Sequence, residues 1–165
     1  MAQTQLGGNT VNTSGTLPAK GTKAPEFTLT GVDLKDVSLE KFAGKNVVLN
    51  IFPSIDTNVC AASVREFNKL ATSLKDTVVL SIAKDLPFAM RRFCGAEGIS
   101  NVVLLSDFKN KDFSNAYGVE MLDGAMNGLF ARAVVVIGPD GKVKHSELVP
   151  SIGEEPDYDA ALSVL

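Results

Sequence analysis

The sequence predicts one α/β domain with a mixed central sheet flanked by helices, preceded by an N-terminal β-hairpin. Three observations carry this expectation. Short apolar runs that suit buried strands, such as 45–52 and 77–83, alternate with stretches of helical periodicity. The last two apolar runs, 130–137 and 142–149, are separated by Gly138-Pro139-Asp140-Gly141, a hairpin turn that adds antiparallel strands to the sheet. The chain has 165 residues, 45% of them hydrophobic, enough for one substantial core without disulfide or metal staples.

In chain order, residues 1–16 read as a hairpin extension turning at Gly7-Gly8-Asn9, followed by a loop from Pro18 to Pro25. A short strand begins at Phe27, and 38–42 makes a helical turn with Ser38 as its cap. Strand 45–52 (Lys-Asn-Val-Val-Leu-Asn-Ile-Phe) is stopped by Pro53, which fixes φ and lacks a ladder donor. Cys60, Val64, Phe67, Ala71 and Leu74 then recur at helical spacing, predicting a helix over 58–74 capped by Thr57 or Asn58. Strand 77–83 follows. Pro87 suits the first turn of a helix over 87–94, with Gly95 ending it. Strand 102–105, a helix across 110–117, the final hairpin and a terminal helix opened by Pro156 complete the chain. This order is compatible with a thioredoxin-like fold, with 1–165 forming a single domain.

Composition narrows the functions. A net charge of −3 argues against a nucleic-acid or anionic-membrane partner. No apolar stretch approaches the roughly 20 residues that span a bilayer. The first residues have neither a basic start nor an apolar core, so a cytoplasmic protein without a secretory signal is expected. Two cysteines and one histidine, His145, cannot supply an ordinary closed zinc site, and no dinucleotide or P-loop pattern appears, so no metal or cofactor is expected. His145 reads as a solvated or edge-facing strand residue, because a lone histidine lacks an acid–base partner.

The chemistry concentrates at Cys60, in the first turn of the predicted helix. Unpaired backbone N–H groups and the positive end of the helix dipole favour a thiolate there. The competing assignment is a small buried hydrophobe opening an apolar face. Pro53-x-x-x-Thr57-x-x-Cys60 resembles the active-site signature of peroxiredoxins. The wider segment 52–65 resembles the bacterial thiol peroxidase branch, the atypical two-cysteine peroxiredoxins. Segment 85–98 is similar to that branch's second-cysteine region and carries Cys94. Segment 131–137 (Ala-Arg-Ala-Val-Val-Val-Ile) resembles the strand bearing its arginine, and 155–162 its C-terminal helix.

The resemblance implies a thioredoxin-like fold and a thiol-specific peroxidase acting on hydrogen peroxide and organic hydroperoxides. It implies a Cys60 sulfenic acid, an intramolecular Cys60–Cys94 disulfide, recycling by thioredoxin, and a homodimer. Chemistry supports the expectation independently. Lowering a thiol pKa from about 8.5 to about 6 raises its ionised fraction at neutral pH roughly thirtyfold, about 2 kcal/mol of barrier. Peroxide reduction demands more, supplied by charge stabilisation at the departing oxygen. Thr57, one helical turn before Cys60, and Arg132, interrupting an apolar strand, are the candidates for that task. A surface arginine paired with a carboxylate is the alternative for Arg132. Pro53 shields the sulfur and shapes the loop.

Cys94, the only other thiol, ends a helix near Gly95 and Gly98, where local unwinding is easy. A static disulfide across this separation would stabilise the fold by about 4 kcal/mol, but a reducing compartment favours a transient one. Asp56 has no assigned role: a carboxylate so near would raise the thiol pKa, unless it faces away to cap the helix or bind a partner. Arg91 and Arg92 read as a solvated face, with partner docking as the alternative. Phe88, Met121, Leu129 and Phe130 suggest a pocket for bulky hydroperoxides, buried core or a dimer interface. A disulfide oxidoreductase would need Cys-x-x-Cys, and here the earlier position is Thr57. A non-catalytic binding module on the same fold is the third possibility.

Overall fold

The computed structural model describes residues 1–165. Gln3–Leu6 (β1) and Asn9–Asn12 (β2) form the N-terminal hairpin. Its two-residue turn has φ of 57° at Gly7 and 83° at Gly8, the left-handed pair that matches strand twist and that glycine adopts freely. The main sheet contains Thr28–Gly31 (β3), Asp36–Ser38 (β4), Asn46–Ile51 (β5), Thr77–Ala83 (β6), Val103–Ser106 (β7), Ala133–Ile137 (β8) and Val143–Leu148 (β9). Their order is β4-β3-β7-β6-β5-β8-β9, with β5, β6 and β7 parallel and β3, β8 and β9 joined antiparallel. This is the mixed thioredoxin-like sheet that the alternating pattern and closing hairpin predict.

The period-2 alternation of central strands divides the core between the two faces. Leu49, Ile51, Leu80 and Ile82 pack with Phe27, Phe113 and Tyr117, so the helix Asp112–Tyr117 (α3) covers that side. Val48, Val79, Val134 and Val136 pack on the other side against Val64, Phe67 and Met90. Asn58–Ala71 (α1), Pro87–Glu97 (α2) and Tyr158–Leu162 (α4) cover this second face. Burying a side chain such as Phe67 contributes about 2–3 kcal/mol relative to leaving it in water. Cys60 belongs to this second cluster, so the core itself seats the first turn of α1.

Several boundaries differ from expectation for local reasons. α1 stops at Ala71, because the Thr72 and Ser73 hydroxyls donate to the Lys69 and Leu70 carbonyls and satisfy the helix end. Leu74 is therefore off the helix. α2 continues through Gly95 and ends at Gly98, whose φ of 65° provides the left-handed cap; Gly98 and Ile99 N–H both donate to the Cys94 carbonyl. The terminal helix starts two residues after Pro156, where the Asp157 carboxylate accepts from Ala160 N at 3.0 Å. Residues 39–42 form a 3₁₀ turn, and Ser38 ends β4 without a side-chain cap. β4 went unpredicted because three residues leave no periodicity to read.

His145 pairs with Val136 on the edge strand β9, the edge-facing alternative, and is half-buried; its Nε2 is enclosed without a partner. Met121 and Phe130 are fully buried core, and Phe88 is exposed, so these residues form no common pocket. No helix is long and apolar enough to cross a membrane.

Candidate active site

β5 delivers the chain to the site and Pro53 turns it. The ladder between β5 and β8 ends at Ile51 opposite Ala133, just before the proline that has no N–H to donate. Arg132 thus lies one residue before β8 instead of inside the predicted strand 130–137, and its side chain is free to cross towards α1.

Arg132 is 1% exposed and Cys60 is fully buried. The guanidinium Nη2 donates to Cys60 Sγ at 3.2 Å, and Nε donates to the Ile152 carbonyl at 3.0 Å. No carboxylate lies within ion-pairing distance of Arg132. A buried cation needs an anion, and the group placed to carry the balancing charge is the Cys60 sulfur. The remaining donor, Nη1, is buried without any partner. Its two N–H groups are unused donors on the same guanidinium that contacts the sulfur, available to developing negative charge.

Thr57 occupies the N-cap position of α1, but its hydroxyl does not cap the helix. It donates to the Ser54 carbonyl at 3.0 Å. With its proton committed, the oxygen retains lone pairs that can accept from a hydroperoxide O–H. Cys60 sits in the same first helical turn, where backbone N–H groups lack helical acceptors. Beside Thr57 and Arg132 lies a cleft of about 180 Å³, lined by Leu6, Pro53, Met126 and Ile152 among others. A mostly apolar rim over a polar floor suits a small molecule with an O–O group and an organic tail.

The loop 53–57 is fixed by a residue that the sequence left unassigned. The Asp85 carboxylate accepts from Ser54 Oγ and from Ile55 N, both at 2.8 Å. Asp56 points outward, its carboxylate 3.6 Å from the exposed Arg92 guanidinium, and so adds no charge beside the sulfur. Asp85, Leu6, Met126 and the Ile152 carbonyl carry no sequence signal of their own, because backbone acceptors and apolar rims leave no motif.

Cys94 lies on α2, half-buried at the edge of the cluster that contains Cys60, and both thiols are free. Burial pushes the Cys94 thiol up from its ordinary range, which keeps it protonated while α2 is folded. Arg65 of α1 holds Glu97 of α2 in a forked pair at 2.9 and 3.1 Å, and the hydrogen bonding lowers the Glu97 carboxyl. The structure therefore brings Pro53, Thr57, Cys60 and Arg132 together and keeps Cys94 on a separate, tethered helix.

A sheet of this topology with a thiol on the first helical turn and a buried arginine against it defines a thioredoxin-like thiol protein. Residues 19–162 match the Redoxin family model, and the chain belongs to that family. It is 57% identical over 165 residues to the thiol peroxidases of Mycobacterium tuberculosis and Mycobacterium bovis, covering 100% of this chain and 99% of theirs. That places it in the thiol peroxidase branch of the peroxiredoxins. Among solved structures, a peroxiredoxin-like protein from Aquifex aeolicus superimposes with a TM-score of 0.92 at 37% identity, over 98% of this chain and 94% of that one. A thiol peroxidase from Chromobacterium violaceum shares the fold, with a TM-score of 0.90 at 24% identity over 98% and 93% of the two chains.

Proposed function

We propose that the protein reduces hydrogen peroxide and organic hydroperoxides through Cys60, with Arg132 and Thr57 stabilising the transition state. The Cys60 thiolate attacks the terminal peroxide oxygen; an S–O bond forms as the O–O bond breaks, and the departing oxygen leaves as water or alcohol after taking a proton. Cys60 is thereby oxidised to a sulfenic acid. Arg132 Nη1 donates to the departing oxygen while Nη2 holds the sulfur, and the Thr57 hydroxyl oxygen orients the peroxide by accepting a hydrogen bond from its O–H. Pro53 walls off bulk water. Cys94 then attacks the sulfenic sulfur, releases water and forms an intramolecular disulfide. A dithiol reductant of the thioredoxin class restores both thiols by exchange. A cytoplasmic location and a homodimer complete this reading.

The observation that carries it is the 3.2 Å contact between Arg132 and Cys60, buried and without a carboxylate to neutralise the arginine. Arg132→Ala should slow peroxide attack by about a hundredfold, the scale of losing a preorganised donor to developing charge. Stopped-flow measurement of the first turnover reads this directly. An unaltered rate in a folded variant would make Arg132 structural.

A further inference from the structure

We propose that Thr4, in the N-terminal hairpin, is a positioning residue for Arg132, acting through the loop 149–152. The inference rests on the site reading above and concerns what aims the arginine. Only the Nε–Ile152 carbonyl bond and the thiol contact restrain the guanidinium, and Nε fixes the plane that contains both Nη atoms. The position of the Ile152 carbonyl therefore decides where Nη2 and the free Nη1 point.

That carbonyl belongs to a loop held by β1. Ile152 N donates to the Gln5 carbonyl at 2.8 Å, and Gln5 N donates to the Pro150 carbonyl at 2.9 Å. Thr4 is 2% exposed, and its hydroxyl donates to the Val149 carbonyl at 2.8 Å with the Pro150 carbonyl at 3.1 Å. Val149 N closes the circuit by donating to the carbonyl of Arg132 itself at 2.9 Å. Backbone and side chain of Arg132 are thus both tied to a short loop, and the loop is tied to the hairpin. Leu6, two residues after Thr4 in β1, lines the cleft beside Thr57 and Arg132. The hairpin is consequently part of the site's frame as well as an appendage to the sheet.

Thr4 is the informative position because a buried hydroxyl can be removed without changing shape. Thr4→Val leaves two loop carbonyls without that donor while filling the same volume. The expected result is a roughly tenfold slower first-turnover attack on peroxide, since small displacements of a catalytic group cost this much or more. The pH midpoint for alkylation of Cys60 should also rise, because the guanidinium no longer faces the sulfur squarely. Thr4→Ser, which keeps the donor, should restore both readings. Added to Arg132→Ala, Thr4→Val should cause no further loss of rate, because residues acting through one group are not additive.

A folded Thr4→Val protein with wild-type rate and midpoint would overturn the inference. So would a serine variant as impaired as the valine one, or full additivity with Arg132→Ala. Thr4→Ala, read in the same way, carries the test if the valine variant does not fold. The Arg132→Ala control separates the two levels: if it leaves rate and midpoint unchanged, the site reading fails. If it changes them while Thr4→Val does not, only the role of Thr4 fails.

Discussion

Cys60→Ser leaves a folded protein that consumes no peroxide above background. The serine oxygen fits the same space and still accepts from Arg132, so the core around α1 survives. The chemistry does not survive, because an alcohol is essentially unionised at neutral pH and a hard oxygen attacks peroxide poorly. Loss of the thiolate should exceed a thousandfold, roughly 4 kcal/mol or more of transition-state stabilisation. Following peroxide loss with circular dichroism as a control gives the answer. Consumption at the wild-type rate would remove Cys60 from the mechanism.

The second large effect falls on Cys94. Cys94→Ser should react with one equivalent of peroxide and then stop, even with a thioredoxin-class reductant present; counting peroxide consumed per protein measures this. Sustained turnover at the wild-type rate would show that another thiol resolves the sulfenic acid. On the proposed mechanism, Cys94 has to reach Cys60 from a folded helix. Cys94 is held in α2 by the Gly98 cap and by the tether from Arg65 to Glu97, and its thiol is kept protonated by burial. On that mechanism, α2 is expected to loosen near Cys94 during resolution. The restraints are of the kind that give way first: exposed ion pairs contribute little, and helix ends open locally at low cost. Without Cys94, the Cys60 sulfenic acid has no intramolecular partner with which to condense, and turnover stops after one equivalent.

The sequence carried the central strands well because their signals are strong. Segments 45–52 and 77–83 are apolar on both faces, and Pro53 marks where the first must end. The pairing of Arg132 with Cys60 was legible for a different reason: a charged residue in an apolar run has to find an anion, and the resemblance supplied one. Element ends were less legible, since the choice between Gly95 and Gly98 depends on which glycine reaches positive φ. The cleft was not legible, because apolar residues for pocket, core and interface look alike in sequence. Phe130 and Met121 went to the core, while Leu6 and Met126, from distant segments, came to the rim. Asp85 and the Ile152 carbonyl act through hydrogen bonds that only the folded chain defines.

The most direct test of the account is intact-mass spectrometry of the reduced protein mixed with one equivalent of hydrogen peroxide, followed by peptide mapping. The account predicts loss of two hydrogens within seconds, with the Cys60 and Cys94 peptides joined. Two unmodified thiols after minutes, in a protein that keeps its fold, would contradict it.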